Sequence, residues 1–447
     1  MAVSSFLLAT KLAIWLTDAS GHLKVTCLGD SHSAHGRSLL AVKFALDTDV
    51  LVVGAGPAGS AAAHVLADAG RDVTIVDKAV FPRDKCCGDG LTTLALRELE
   101  AIGFDPRTVP SWTQVDAAWV RSPSGREVCL PLLGAGQYAA VTPRVELDNA
   151  LVEHARAAGA KVLDGHAFAA VAHDASTHIA VDVEGVGTVR ARYVIAADGM
   201  WSPVRKALGL GEAGYLGEWH GFRQYATNVT GPAKDRLYVW FEPDLIPGYA
   251  WSFPLPDGRV NVGFGVLRDG TRKVQDMKVT WPDLLQREHI RTALGPTAVM
   301  EGRHTAWPIP ARIDAAALTS GRVLFVGDAA TATDALTGEG IGQALLTGRL
   351  AAEAIIAGGA LDAGATRQCY ERHVADHLFA DHRMSIRLSR LMSKDWQVRG
   401  AVRVVGTNAW TRRNFAKWMF EDEPRAVALT PSRWHRRLFR RPGAFAG

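Results

Sequence analysis

Three glycines and an acid carry the first chemistry. Val50–Val53 is a short apolar run, and Gly54, Gly56 and Gly59 follow it with the spacing G-x-G-x-x-G. A buried strand that turns into a helix through such glycines holds a pyrophosphate. The first glycine allows the tight turn, the second lets backbone approach the ligand, and the third lets helix pack on strand. Pro57 and Ala58 open the helix, where free N–H groups and the helix dipole favour an anion. A second strand, Asp72–Val76, leads to Asp77, placed to bind a ribose hydroxyl pair, with Lys78 beside it. Strand, glycines, helix, strand and acid in that order predict a dinucleotide site.

More residues of the same kind follow. Phe81–Leu91 reads FPRDKCCGDGL. Arg83 and Lys85 can neutralise phosphate, and glycines such as Gly88 admit a ligand closely. Arg144 starts the helix in Val141–Gly159, where a cation is electrostatically misplaced, so it is expected to serve a cofactor phosphate or ring. Two further apolar strands stop at Asp198-Gly199 and Gly327-Asp328, and ligands bind at the carboxyl ends of such strands. Gly338, Gly340 and Ile341 begin a long helix running to about Ile356. Its free N–H groups suit the electron-rich edge of a reduced ring, with Glu339 alternatively a simple charge complement.

The elements around these motifs change character after Val204, where Trp, Tyr and Phe concentrate and the pattern to about Pro310 becomes β. Gly248–Val266 reads GYAWSFPLPDGRVNVGFGV. A two-residue turn at Asp257-Gly258 predicts that Trp251 faces Phe264 and Phe253 faces Val262. Tyr249, Trp251 and Phe253 then share a face with Val262, Phe264 and Val266, while Ala250, Ser252, Gly263 and Gly265 line the other. The aromatic face is either core or the wall of a pocket. A one-residue slip would exchange the faces.

The chain has 447 residues, ordinary hydrophobicity and a net charge of +4. That charge is uneven: Arg383–Gly447 holds fifteen Lys and Arg against four Asp and Glu. Trp396, Trp410, Trp418 and Trp434 are interleaved with them, a mixture suited to an anionic membrane surface or to a helical cap over a pocket. No nucleic-acid partner is expected. Five cysteines without metal spacing predict no metal and a reducing, cytoplasmic setting, peripheral at most to the inner membrane face. Phe6–Leu16 is too short to span a bilayer and lacks a basic leader. Residues 1–46 are expected to be a disordered extension or the product of a start site placed too far upstream. The expected layout gives residues 47–110, 139–210 and 311–360 to an α/β dinucleotide domain of Rossmann type. An antiparallel β substrate domain takes 111–138 and 211–310, and 361–447 form a basic helical region.

Three separated motifs carry a resemblance. GAGPAG at Gly54–Gly59, AADG at Ala196–Gly199 and VGDAA at Val326–Ala330 are similar to FAD-dependent enzymes of the p-hydroxybenzoate hydroxylase fold. FPRDKCCGDGL resembles the PRDKxCGDGL signature of the geranylgeranyl reductase family, and Tyr249–Gly265 its YxWxFP…GxG pattern. The likeness runs from about Thr48 to Ala360. It departs at Cys86 and Ala335, where the family commonly has Pro, and at Thr92-Thr93-Leu94. It implies that Gly54, Gly56, Gly59, Asp77, Arg144 and Asp328 hold FAD, and that Gly338–Ile341 meet the isoalloxazine edge. It places Cys87 near the flavin. It also makes Tyr249 and Trp251 the border of a lipid-shaped cavity, with Phe253 beside them.

The expected activity is therefore hydride transfer from reduced flavin to an isolated C=C bond of an isoprenoid lipid or polyprenyl quinone tail, with NAD(P)H or another reductant as electron donor. Such an alkene is unpolarised, so proximity, exclusion of water and a positioned acid must act. Cys87 is the candidate acid; its alternative is a buried loop thiol. The rivals are an aromatic or lipid monooxygenase on the same fold, a quinone-coupled electron carrier, and a flavin- or lipid-binding module without catalysis.

Overall fold

The computed structural model describes residues 13–17, 23–27, 44–268, 274–359, 362–427 and 442–446. Within 1–46, Ala13–Thr17 and Leu23–Cys27 pair as an antiparallel ladder; the rest of that expected extension up to residue 43 lies outside the described residues, as does Trp434.

The apolar run forms β1 (Leu46–Val53), whose last four residues are almost wholly buried. It turns through Gly54–Gly56 into α1 (Pro57–Asp68), with Pro57 in the first turn, and returns as β2 (Val73–Asp77). Then come α2 (Thr93–Ala101), a hairpin of β3 (Ala117–Arg121) and β4 (Glu127–Pro131), and α3 (Arg144–Ala157). β5 (Lys161–Asp164), β6 (Phe168–Asp174), β7 (Ile179–Val183) and β8 (Gly187–Ala196) follow, and α4 (Pro203–Ala207) closes this half. The strand order is β5-β2-β1-β8-β7-β6, parallel from β5 to β8 and antiparallel beyond.

A second sheet is built from β9 (Trp219–Thr227), β10 (Leu237–Trp240), β11 (Tyr249–Pro254) and β12 (Val260–Leu267). Helices α5 (Val274–Gln286) and α6 (Glu288–Leu294) interrupt the stretch expected to be β throughout, before β13 (Val299–Ile309). The order is β13-β9-β12-β11-β10-β3-β4, so the hairpin at 117–131 joins this sheet although it precedes α3 in the chain. The two helices exist because the sheet has an apolar face to cover. Met277, Trp281, Leu284 and Ile290 pack with Ala250, Val262 and Phe264.

β14 (Val323–Phe325) then re-enters the first sheet beside β8. It leads into α7 (Ile341–Gly358), which packs on α1 so tightly that a Cβ on Gly348 would lie 2.1 Å from the Ala58 carbonyl oxygen. The chain ends in α8 (Ala363–Val374), α9 (Ala380–Leu391), α10 (Asp395–Val405) and α11 (Ala409–Met419). Val398, Val402, Ala416 and Phe420 are buried with Ala118 and Leu130 of the second sheet.

The β11–β12 register corrects the sequence expectation by one residue. Trp251 stands opposite Gly263, Phe253 opposite Asn261, and Ala250 opposite Phe264. The turn has three residues, not two. The Leu255 carbonyl accepts from Gly258 N at 3.2 Å, with Pro256 and Asp257 between and Gly258 at φ 82°. Proline is favoured at the second position of a type I turn, and a left-handed glycine completes this three-residue form. The slip moves Val262 and Phe264 to the helix-covered core. It leaves Tyr249, Trp251 and Phe253 with Gly265, Gly263 and Asn261 on the face toward the first sheet.

Candidate functional site

Between the two sheets lies a cavity of about 790 Å³. One end is the glycine turn. Gly54 has φ 103°, and a Cβ on it would meet the Ala197 carbonyl oxygen at 2.3 Å, so only glycine fits. On Gly56 a Cβ would find only Arg83 Nη2, at 3.7 Å, which leaves the space above the α1 N-terminus open to a ligand. Gly59 does not line the cavity. A Cβ there would lie 1.9 Å from the Gly54 carbonyl oxygen, so it is the contact that seats helix on strand. The remaining residues expected to hold the cofactor all line this one cavity: Pro57, Ala58, Asp77, Lys78, Arg83, Gly88, Arg144, Asp198, Asp328, Gly338, Gly340 and Ile341.

Several of these have partners the sequence did not reveal. Asp77 accepts from Ala55 N and Ala79 N, each at 2.8 Å, which pins the end of β2 to the glycine turn. Asp198 accepts from Ser202 Oγ at 2.7 Å and Val204 N at 2.9 Å, so it braces the start of α4 as well as lining the cavity. Burial pushes its carboxyl up to about 6. Arg144 does not stand free at its helix start. Asp148, one turn on and fully buried, accepts from Arg144 Nε at 2.6 Å and Nη2 at 2.7 Å, and its Oδ2 lies 2.8 Å from Arg83 Nη1. One buried carboxylate thus aligns two guanidinium groups on the cavity wall, and burial of Arg144 is outweighed by that pairing, which holds its proton firmly. Asp148 was missed because an i,i+4 Arg–Asp pair reads like an ordinary surface helix pair.

Glu339 accepts from Ile341 N at 3.0 Å, which favours the charge-complement role at the start of α7. Burial pushes its carboxyl up to about 7. Lys85 sits with Nζ 3.5 Å from the centre of the Trp307 ring, and burial brings its ammonium down to about 8.

The other end is aromatic. The new register puts residues in rows across the strands. Tyr225, Asn261 and Phe253 form one, Thr305, Arg223, Gly263 and Trp251 the next, and Trp307, Gly221, Gly265 and Tyr249 the third. Glycines in the last two rows make room for rings. A Cβ on Gly263 would lie 2.4 Å from Trp251 Cζ2. Tyr249 OH donates to the Thr337 carbonyl oxygen, tying the hairpin to the loop before α7. The loop 81–91 runs between the two ends: a Cβ on Gly88 would meet Phe253 Cε2 at 3.4 Å and Trp251 Cε2 at 3.6 Å. Cys87 lines the cavity there, and desolvation pushes its thiol up to about 12, so it keeps its proton at neutral pH. Tyr249, Trp251, Phe253 and Cys87 are therefore brought together with the glycine end.

The residues present fit FAD: a glycine cradle with room only for a ligand, paired arginines over it, and a glycine-rich helix start opposite. The comparisons agree. Residues 47–354 match the family described as FAD binding domain. A menaquinone reductase of Mycolicibacterium smegmatis is 35% identical over 376 residues, 79% of this chain and 87% of its own. A digeranylgeranylglycerophospholipid reductase of Methanopyrus kandleri is 35% identical over 315 residues, 69% of this chain and 76% of its own. A geranylgeranyl bacteriochlorophyll reductase-like protein of Thermoplasma acidophilum superposes with a TM-score of 0.71 at 23% identity, covering 85% of this chain and 97% of that one. A p-nitrophenol 4-monooxygenase of Pseudomonas putida superposes with 0.68 at 17% identity, covering 86% and 99%. At these identities the structural likenesses speak for the fold alone.

Proposed function

Starting from the membership of this chain in the FAD binding domain family, we propose that it is an FAD-dependent oxidoreductase that reduces C=C bonds of an isoprenoid chain. The observation that carries this reading is a single cavity with the Gly54–Gly56 turn and the α1 N-terminus at one end and the Tyr249–Trp251–Phe253 wall at the other. Relatives named for menaquinone and for digeranylgeranylglycerophospholipid support an isoprenoid substrate.

Gly54, Gly56, Pro57 and Ala58 would receive the pyrophosphate with Arg83, Asp77 would take the ribose, and Asp328 and Arg144 would hold the middle of the cofactor. Gly338–Ile341, at the start of α7, would hold the ring edge. FAD held there would supply hydride chemistry, and NAD(P)H or another reductant would be its electron source. The aromatic wall excludes water and holds the chain by its apolar surface. Cys87 Sγ–H donates the proton to the second alkene carbon; its retained proton suits an acid better than a nucleophile. The first sheet with α7 forms the cofactor half, and the second sheet the substrate half.

Trp396 and Trp410, each more than two-thirds exposed, lie with exposed Arg399, Arg403 and Arg413 on α10 and α11. This face holds the protein peripherally on an anionic membrane where its substrate resides, at a cytoplasmic surface. None of the described helices is long and apolar enough to cross a membrane. Deleting the tail would not test this attachment, because Phe420, Asp422 and Arg425 are buried against the rest of the fold. Replacing Arg403 and Arg413 by Glu should weaken binding to phosphatidylglycerol vesicles, by about 1 kcal/mol per residue removed, and salt should erase the difference.

The functional reading is tested without oxygen. Reduced protein mixed with a geranylgeranyl lipid should regain its flavin absorbance anaerobically. Return of the absorbance only after oxygen is admitted would favour the monooxygenase.

A further inference from the structure

We propose that Asn261 is a positioning residue of this cavity: it clasps the Trp251 indole to the loop bearing Cys87 and thereby fixes which double bond of the chain reaches the reacting centre. The inference rests on the isoprenoid reading above.

Asn261 is fully buried on β12, diagonal to Trp251 on the cavity face. Its carboxamide is used at both ends. Oδ1 accepts from Trp251 Nε1 at 3.0 Å. Nδ2 donates to the Cys87 carbonyl oxygen at 2.9 Å and to Asp89 Oδ2 at 2.7 Å. Only one amide orientation satisfies this set, because the indole offers only a donor and the other two groups only acceptors. Asp89 is itself fully buried and has φ 65°, uncommon for a residue with a side chain. It is held there by Tyr225 OH at 2.6 Å, Arg144 N at 3.3 Å and a bond from Thr142 N to its own carbonyl at 2.9 Å. Of the glycines on either side of it, Gly88 has the Trp251 and Phe253 rings as neighbours and Gly90 the Phe253 ring.

The consequence is mechanical. A polyprenyl chain presents the same alkene again and again along its length, and a cavity chooses among them only if its walls stay fixed relative to the reacting groups. Here the wall (Trp251) and the acid's loop (Cys87) share one buried amide, so neither shifts without the other.

Asn261→Leu keeps the bulk and removes the clasp; Trp251→Phe keeps the amide and removes its indole partner. In FAD-loaded protein carrying nitrogen-15 tryptophan, the Trp251 indole N–H is identified by its loss in Trp251→Phe. Asn261→Leu should speed its hydrogen exchange by about tenfold or more. With a geranylgeranyl lipid, both variants should retain FAD and spread reduction over more double bonds than wild type, and the double variant should spread it no further. A protected indole and a wild-type product pattern in Asn261→Leu would overturn the proposal. Should Asn261→Leu fail to fold, an unchanged product pattern in Trp251→Phe alone would overturn it. Wild-type protein that reduces no isoprenoid refutes the functional reading and the selection with it, while the indole exchange still decides whether the clasp exists.

Discussion

The two ends of the cavity are built in different ways. The glycine end is local: Gly54, Gly56, Pro57 and Ala58 are consecutive or nearly so, and each has its role set by the backbone it stands on. The aromatic end is assembled across strands, and its faces depend on one turn. Local geometry excludes side chains at Gly54 and Gly59 and is readable from spacing. A strand face is readable only once its register is known.

The sharpest way to break the glycine end is Gly59→Val. A Cβ at 1.9 Å from the Gly54 carbonyl oxygen forces helix from strand, and the purified protein should carry no FAD. A yellow, fully loaded variant would refute the placement of the pyrophosphate. Gly263→Ala attacks the other end. Its Cβ would meet the Phe222 carbonyl oxygen and Trp251 Cζ2, both at 2.4 Å. FAD should stay bound while isoprenoid reduction falls about 100-fold, the cost of displacing a binding wall. Equal loss of FAD in both variants would erase the distinction between the ends.

Cys87→Ala sharpens the comparison at the seam. If Sγ is the acid, alkene reduction should fall by about 100-fold with FAD retained. Because the thiol is pushed up to about 12, the wild-type rate should not decline with thiol ionisation between pH 6 and 9. A wild-type rate in the variant would leave Cys87 no chemical part.

The smallest effect lies behind the cofactor end. Glu421 accepts from Thr92 Oγ1 and Gln343 Nε2, both at 3.0 Å, and burial pushes its carboxyl up to about 8. An unfolded Glu titrates near about 4.3. The folded chain therefore binds more protons between those values, and Glu421 withdraws stability as pH rises from about 5 to 8. Glu421→Gln should flatten that fall in Tm, measured at pH 5 and 8.5. A parallel fall in variant and wild type would show that this carboxyl does not titrate there.

What was legible follows from the same contrast. Gly54, Gly56, Pro57, Ala58, Asp77, Asp328 and Gly338–Ile341 announce themselves by spacing and meet in one cavity, while Gly59 of the same motif packs helix on strand outside it. The hairpin register misled because Asp257-Gly258 is a common two-residue turn. Pro256 was the overlooked signal, since it suits the second position of the three-residue form that the chain adopts. Asp148 and Asn261 carried no motif. Asp148 pairs with Arg144 on its own helix, which reads as an ordinary surface pair, and the partners that reveal the bridges, Arg83 and Trp251, come from other elements. Helices α5 and α6 were hidden for a related reason: their apolar residues answer a sheet face whose orientation was still misassigned.

The most direct measurement is a single anaerobic turnover followed by mass spectrometry. Protein reduced with dithionite is given one equivalent of a menaquinone or a geranylgeranyl lipid, and the product is fragmented. The account predicts a gain of two hydrogens within the isoprenoid chain, formed about 100-fold more slowly in Gly263→Ala and absent without FAD. A product with an unchanged chain, whether its quinone ring is reduced or the molecule is untouched, would contradict it.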